Sequence, residues 1–89
     1  MSQNSDLPTP RTATARAHVS SERLRQLAKW GDQSHTDMEW LVILVEEVGE
    51  VARSIFENGE ADYDEITQCS AVALAWMEDR IRDSAIINV

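Results

Sequence analysis

A chain of 89 residues forms one small domain, and at that size a core buries only about two-thirds of the surface that the unfolded chain exposes. Cys69 is the single cysteine and no Cys/His cluster is present, so disulfides and structural zinc are excluded as supplements and association between copies is expected. Sixteen acidic residues against eight basic, a net charge of −8 with no basic stripe, exclude a nucleic-acid polymer as partner, and no apolar run is long enough for a membrane span.

Residues 1–18 are rich in Ser, Thr, Pro and Ala and show no amphipathic period, so they are expected to form a flexible arm. Arg11 and Arg16 in that arm are read as solvated, with a phosphate contact as the alternative. The domain proper is expected over 19–84, with 85–89 as a C-terminal tail. A first helix is expected to open at Ser20 or Ser21, good N-caps followed by Glu22, and to run to Trp30 before Gly31. Its apolar face is Leu24, Leu27 and Ala28.

The second helix opens on Thr36-Asp37-Met38-Glu39, the spacing of a capping box, and closes at Asn58-Gly59. Leu41, Leu44, Val45, Val48, Val51, Ala52 and Ile55 form its apolar stripe. The third helix starts near Asp62, where Asp62-Tyr63-Asp64-Glu65 repeats the capping spacing, and reaches about Arg82. Its apolar residues Ile66, Cys69, Val72, Ala73, Leu74, Trp76, Met77 and Ile81 cover most of its circumference, which predicts burial on several sides. Cys69 lies within that pattern and reads as a small core residue rather than a nucleophile. The expected fold is therefore all-α: three helices per chain, the two long ones antiparallel, with a helical bundle completed by oligomerisation.

The chemically informative stretch is Glu46-Glu47-Val48-Gly49-Glu50. At about 100° per residue, Glu47 and Glu50 lie one turn apart and off the Leu44–Val48–Ile55 stripe, on the side of Trp40 and Ile43. No Lys or Arg stands three or four residues from Glu47, and Arg53 reaches only Glu50. Glu65 and Gln68 are likewise one turn apart on the third helix, and antiparallel packing brings them to face Glu47 and Glu50. Four side-chain oxygens with water form an environment suited to a hard octahedral ion such as Mg²⁺. A solvated glutamate face is the competing reading of the same run. The absence of Glu-x-x-His weighs against a di-iron carboxylate site.

Glu46-Glu47-x-x-Glu50, a gap of fourteen residues, and Glu65-x-x-Gln68 together resemble the pattern Glu-Glu-x-x-Glu … Glu-x-x-Asp of the MazG family of all-α nucleoside triphosphate pyrophosphohydrolases. The resemblance spans about Leu24 to Arg82, and Lys29-Trp30-Gly31-Asp32-Gln33-Ser34-His35 and Ala73-Leu74-Ala75-Trp76 extend it. It implies cleavage of a nucleotide between the α and β phosphates to give a monophosphate and pyrophosphate. By resemblance Glu47, Glu50, Glu65 and Gln68 hold Mg²⁺, with Mn²⁺ as a substitute, and Glu46 orients or deprotonates the attacking water. The departure is Gln68, neutral where the family pattern has Asp, which implies weaker metal binding.

Around this set, Lys29 and His35 are candidate phosphate contacts, with ordinary surface roles as the alternative. Trp30 is a candidate stacking platform for a base, with packing as the competing role. Trp40 and Trp76 are assigned to the core or a subunit interface. Asp79 is expected to pair with Arg82 or Arg80 rather than to act as an outer ligand. Three functions compete: a Mg²⁺-dependent pyrophosphohydrolase in the cytoplasm, a weakened or inactive nucleotide-binding module of the same fold, and a purely structural helical oligomer. A homodimer or homotetramer and a nucleotide substrate are the expected partners, with no membrane.

Overall fold

The computed structural model describes residues 9–82; the beginning of the expected arm and the expected tail at 85–89 lie outside the described residues. Among the described residues the chain is all-helical, with α1 over Pro10–Trp30, α2 over Asp37–Asn58 and α3 over Tyr63–Arg82.

α1 begins about ten residues before the expected Ser20. Thr9 is its cap, its hydroxyl accepting from the Thr12 amide at 3.1 Å, and Pro10 occupies the first turn, where its missing N–H costs nothing. The alanines at 13, 15 and 17 favour helix without needing burial. Most side chains of this extension are exposed, so it carries no amphipathic period to mark it as helix. Arg11 and Arg16 are exposed on it. Gly31, at φ 79°, closes the helix in a backbone region where a Cβ would be strained.

Both expected caps of α2 form. Thr36 accepts from the Glu39 amide at 3.2 Å, the Glu39 carboxylate accepts from the Thr36 amide at 2.9 Å, and Gly59 takes the left-handed conformation. The start of α3 is capped on one side only: the Asp62 carboxylate accepts from the Asp64 amide at 2.8 Å. The Asp62 amide itself donates to the Ser54 hydroxyl at 3.0 Å, so that donor is already satisfied and Glu65 is not drawn back to it.

α2 and α3 form an antiparallel hairpin pinned at both ends. At one end Ser54, buried on α2, holds the turn into α3. At the other, the Trp40 indole donates to Asp79 at 2.7 Å and the Trp76 indole donates to Asp37 at 2.9 Å. Between them lies a small core of Trp40, Val72 and Ala75, with Ile43, Leu44 and Trp76 packed against it.

α1 packs on another side of α3. His18 shares a 2.7 Å hydrogen bond with the Tyr63 hydroxyl, and Arg23 pairs with Glu78 at 2.9 Å. Five residues of α1 advance about 7.5 Å while the fifteen from Tyr63 to Glu78 advance about 22 Å, so α1 crosses α3 rather than lying along it. Ala71, fully buried, sits midway between those two contacts in sequence. α1 and α2 do not pack on each other, and α3 alone joins them. The expected burial of α3 on several sides is thus met in part by its own chain.

The faces presented differ from those expected. α1 buries Arg23 and Gln26 and leaves Leu24 66% exposed. α2 turns Trp40, Ile43, Glu47, Val51 and Ser54 inward, while Leu41, Val45, Val48, Ala52 and Ile55 of the expected stripe stay exposed. Met38, Val42 and Phe56 widen that exposed apolar face. The molecule is a flat slab of 43 × 42 × 23 Å with a radius of gyration of 15.4 Å, against about 12 Å for a compact chain of this length.

Candidate functional site

Because α1 and α2 meet only through α3, a groove opens between them with Val72 and Ala75 as its floor. Its volume is about 260 Å³. α1 contributes Arg23, Gln26 and Trp30; Gly31 and Gln33 form a rim; α2 contributes Trp40, Ile43 and Glu47. The walls are thus aromatic and aliphatic with a few polar side chains set into them, as small-molecule sites commonly are.

Glu47 is the acidic residue of this lining. It stands half-buried on the inward face of α2 because helical spacing from Trp40 places it one face with the core. Burial pushes its carboxyl above the usual range, and the negative charges of Glu65, Glu50, Glu46 and Glu22 push in the same direction. Of these charges, that of Glu65 comes from the neighbouring helix α3. Glu50 is exposed and 4.0 Å from Arg53, and Glu46 is exposed beside it. Gln68 is half-buried on α3, one turn beyond Glu65. Cys69, also half-buried, has its thiol pushed up by burial and then by the Glu47 charge, which disfavours the thiolate.

Among the described residues, no three His, Cys, Asp or Glu side chains are gathered into a formed metal site. What the fold does assemble is a set of mutually repelling carboxylates around Glu47.

Trp30 lines the groove with about half its surface exposed, and the Lys29 ammonium stands 4.9 Å from its ring centroid. Lys29 itself is outside the lining. His35 is engaged elsewhere: its amide donates to Asp79 at 2.9 Å and its ring stands edge-on to Trp40 at 4.8 Å. Asp79 is the hub of this corner. Besides Trp40 and His35 it accepts from Ser34 at 3.3 Å and from Arg82 at 3.1 Å. These bonds, the Trp40 indole first and the His35 amide next, hold its carboxyl down at about 2. Arg82 also clamps Asp32 through two bonds of 3.0 Å, so the connection between α1 and α2 is tied to the end of α3. Arg80 pairs with Asp37 at 3.5 Å.

Arg23 and Gln26 line the groove without being candidate site residues by sequence pattern. The usable signal was their spacing with Trp30, at i, i+3 and i+7, which puts a polar stripe on a helix whose apolar residues are otherwise few. No family model matches this chain, and no curated protein or solved structure is significantly similar to it.

Proposed function

We propose that the protein is a Mg²⁺-dependent nucleotide pyrophosphohydrolase, cleaving a nucleoside triphosphate or related nucleotide between the α and β phosphates. The observation that carries this reading is the position of Glu47: a half-buried carboxylate at the edge of a ligand-sized groove, surrounded by Glu65, Glu50 and Glu46. Such a cluster is electrostatically unfavourable alone and becomes favourable with a divalent ion and its phosphate ligand. When bound, the metal neutralises the triphosphate, polarises its oxygens and lowers the pKa of coordinated water. Glu47, Glu50 and Glu65 supply charged oxygens and Gln68 a neutral one. Glu46, exposed beside them, orients or deprotonates the attacking water, and Trp30 stacks on the base at the groove rim. Lys29, next to Trp30, reaches the phosphates from outside the groove, while His35 acts through the connection it anchors.

Self-association as a homodimer or homotetramer belongs to the same proposal. It is supported by the exposed apolar face of α2 and by dimensions too open for a core closed within one chain. A second reading, a nucleotide-binding module with weak or no turnover, is favoured by the lack of a formed three-ligand group among the described residues and by the uncharged Gln68. Pyrophosphate release from a panel of nucleoside triphosphates, with Mg²⁺, with Mn²⁺ and with chelator, separates the two. Metal-dependent release supports the enzyme; nucleotide binding without release supports the module.

A further inference from the structure

Arg23 and Gln26 are each only 7% exposed, yet both line the groove. Arg23 commits Nε and Nη2 to one oxygen of Glu78, at 3.1 and 2.9 Å. Gln26 commits its amide nitrogen to Glu22 at 3.3 Å, and Glu22 is kept ionised by Arg25, so it only accepts. The orientation of the Gln26 amide is thereby set, with its carbonyl oxygen turned away from Glu22. Among the described residues neither that oxygen nor Arg23 Nη1 has a side-chain partner, and no fully enclosed side-chain nitrogen or oxygen is left unpartnered. Both atoms therefore keep some exposed surface, and the groove is the concave surface that both residues line.

We propose that Arg23 and Gln26 form the specificity wall of the groove, reading the edge of a planar heterocycle that carries a hydrogen-bond acceptor beside a donor, as a nucleobase does. Arg23 Nη1 donates to the ring's acceptor and the Gln26 carbonyl accepts from its donor. The ring lies over the apolar floor of Val72 and Ala75, with Trp30 stacked on its outward part at the rim.

Charge and size exclude the phosphates from this part of the site. Arg23 is already neutralised by Glu78, so among the described residues the inner groove offers no free cation to a polyphosphate. At about 260 Å³ it is smaller than the roughly 300–1,000 Å³ of pockets that enclose a whole drug-sized ligand, and suits one ring system. The phosphates then lie outside it, toward Glu47 and Glu50. This assignment rests on the nucleotide reading for the identity of the ring, but not on turnover.

The test uses free nucleosides, which lack phosphate and need no metal. The full-length protein in chelator is titrated with the common ribo- and 2′-deoxynucleosides, following tryptophan fluorescence and the NMR signals of the Gln26 amide and the Arg23 guanidinium. Saturable binding by at least one nucleoside is expected, with both sets of signals shifting. Gln26→Met and Arg23→Lys, both close in volume and charge balance to the original, are expected to weaken it about tenfold, and Leu24→Ala on the exposed side of α1 to leave it unchanged. Absence of saturable nucleoside binding overturns the proposal, as does binding that leaves the Gln26 and Arg23 signals unmoved in the unsubstituted protein. Pyrophosphate release without nucleoside binding would sink the wall and keep the hydrolase; nucleoside binding without release would do the reverse.

Discussion

The two long faces of α2 offer an instructive contrast. One carries Trp40, Ile43, Glu47 and Ser54 and is packed on α3; the other carries Leu41, Val45, Val48 and Ile55 and is exposed. By hydrophobicity alone the second face belongs inside. It is outside because the rotation of α2 about its axis is set by directional bonds at both ends of the hairpin, Trp40 and Trp76 to carboxylates and Ser54 to the Asp62 amide. Hydrophobic burial is non-directional and gives many rotations similar free energies, whereas a buried indole or amide needs one particular partner. In this chain, then, the polar groups decide which face of α2 packs on α3, and the more apolar face stays exposed.

If the packed face is the reactive one, the largest effect comes from its carboxylates. Glu47→Gln and Glu50→Gln are each expected to lower metal-dependent pyrophosphate release about 100-fold or more, measured as product formed per protein at saturating Mg²⁺. Full activity in both would detach the chemistry from this face. The exposed face is probed by Val45→Glu. Burying that unpaired charge at a subunit contact costs about 3–5 kcal/mol of association, so light scattering should show monomers while circular dichroism keeps its helical signal. An unchanged mass would mean that this face is not the contact.

Gln68→Asp sharpens the comparison from the other helix. Adding a charge beside Glu65 is expected to raise Mg²⁺ affinity about tenfold by calorimetry, and to lower stability when chelator is present. The smallest effect is on pH dependence. The Glu47 carboxyl is pushed up, so it binds its proton more tightly folded than unfolded; its favourable contribution is complete below its ordinary value of 4.5 and is lost as pH rises through the raised value. Asp79 has the opposite sign: its contribution is present above 3.8 and is lost as pH falls toward about 2. In chelator, Glu47→Gln should therefore melt higher than the original protein at neutral pH, and the two should converge in mild acid. Asp79→Asn should lower the melting temperature at neutral pH and flatten the loss of stability in stronger acid.

Within the candidate site, the legible residues were those whose signal is local. The half-burial of Glu47 beside the hairpin follows from its helical spacing with Trp40 and Ile43. The end of α1 at Trp30 follows from Gly31. The spacing of Arg23 and Gln26 with Trp30 marks a shared face, but which face of α1 turns to the groove is set by Glu78 and Tyr63, which lie 55 and 45 residues further along the chain from their partners. The engagement of His35 by Asp79 was hidden in the same way, since 44 residues separate them.

By itself the sequence determined the three helices, the caps at Thr36 and Gly59 and the antiparallel pairing of α2 with α3. These depend on neighbouring residues, on helical periodicity and on a turn too short for any other arrangement. Only the tertiary structure decided that α1 packs on α3 without touching α2 and leaves a groove between them, and that Arg23 and Gln26 line that groove beside its apolar walls. Those features depend on a few hydrogen bonds and ion pairs between residues distant in the chain, and such contacts leave no period in the sequence to read.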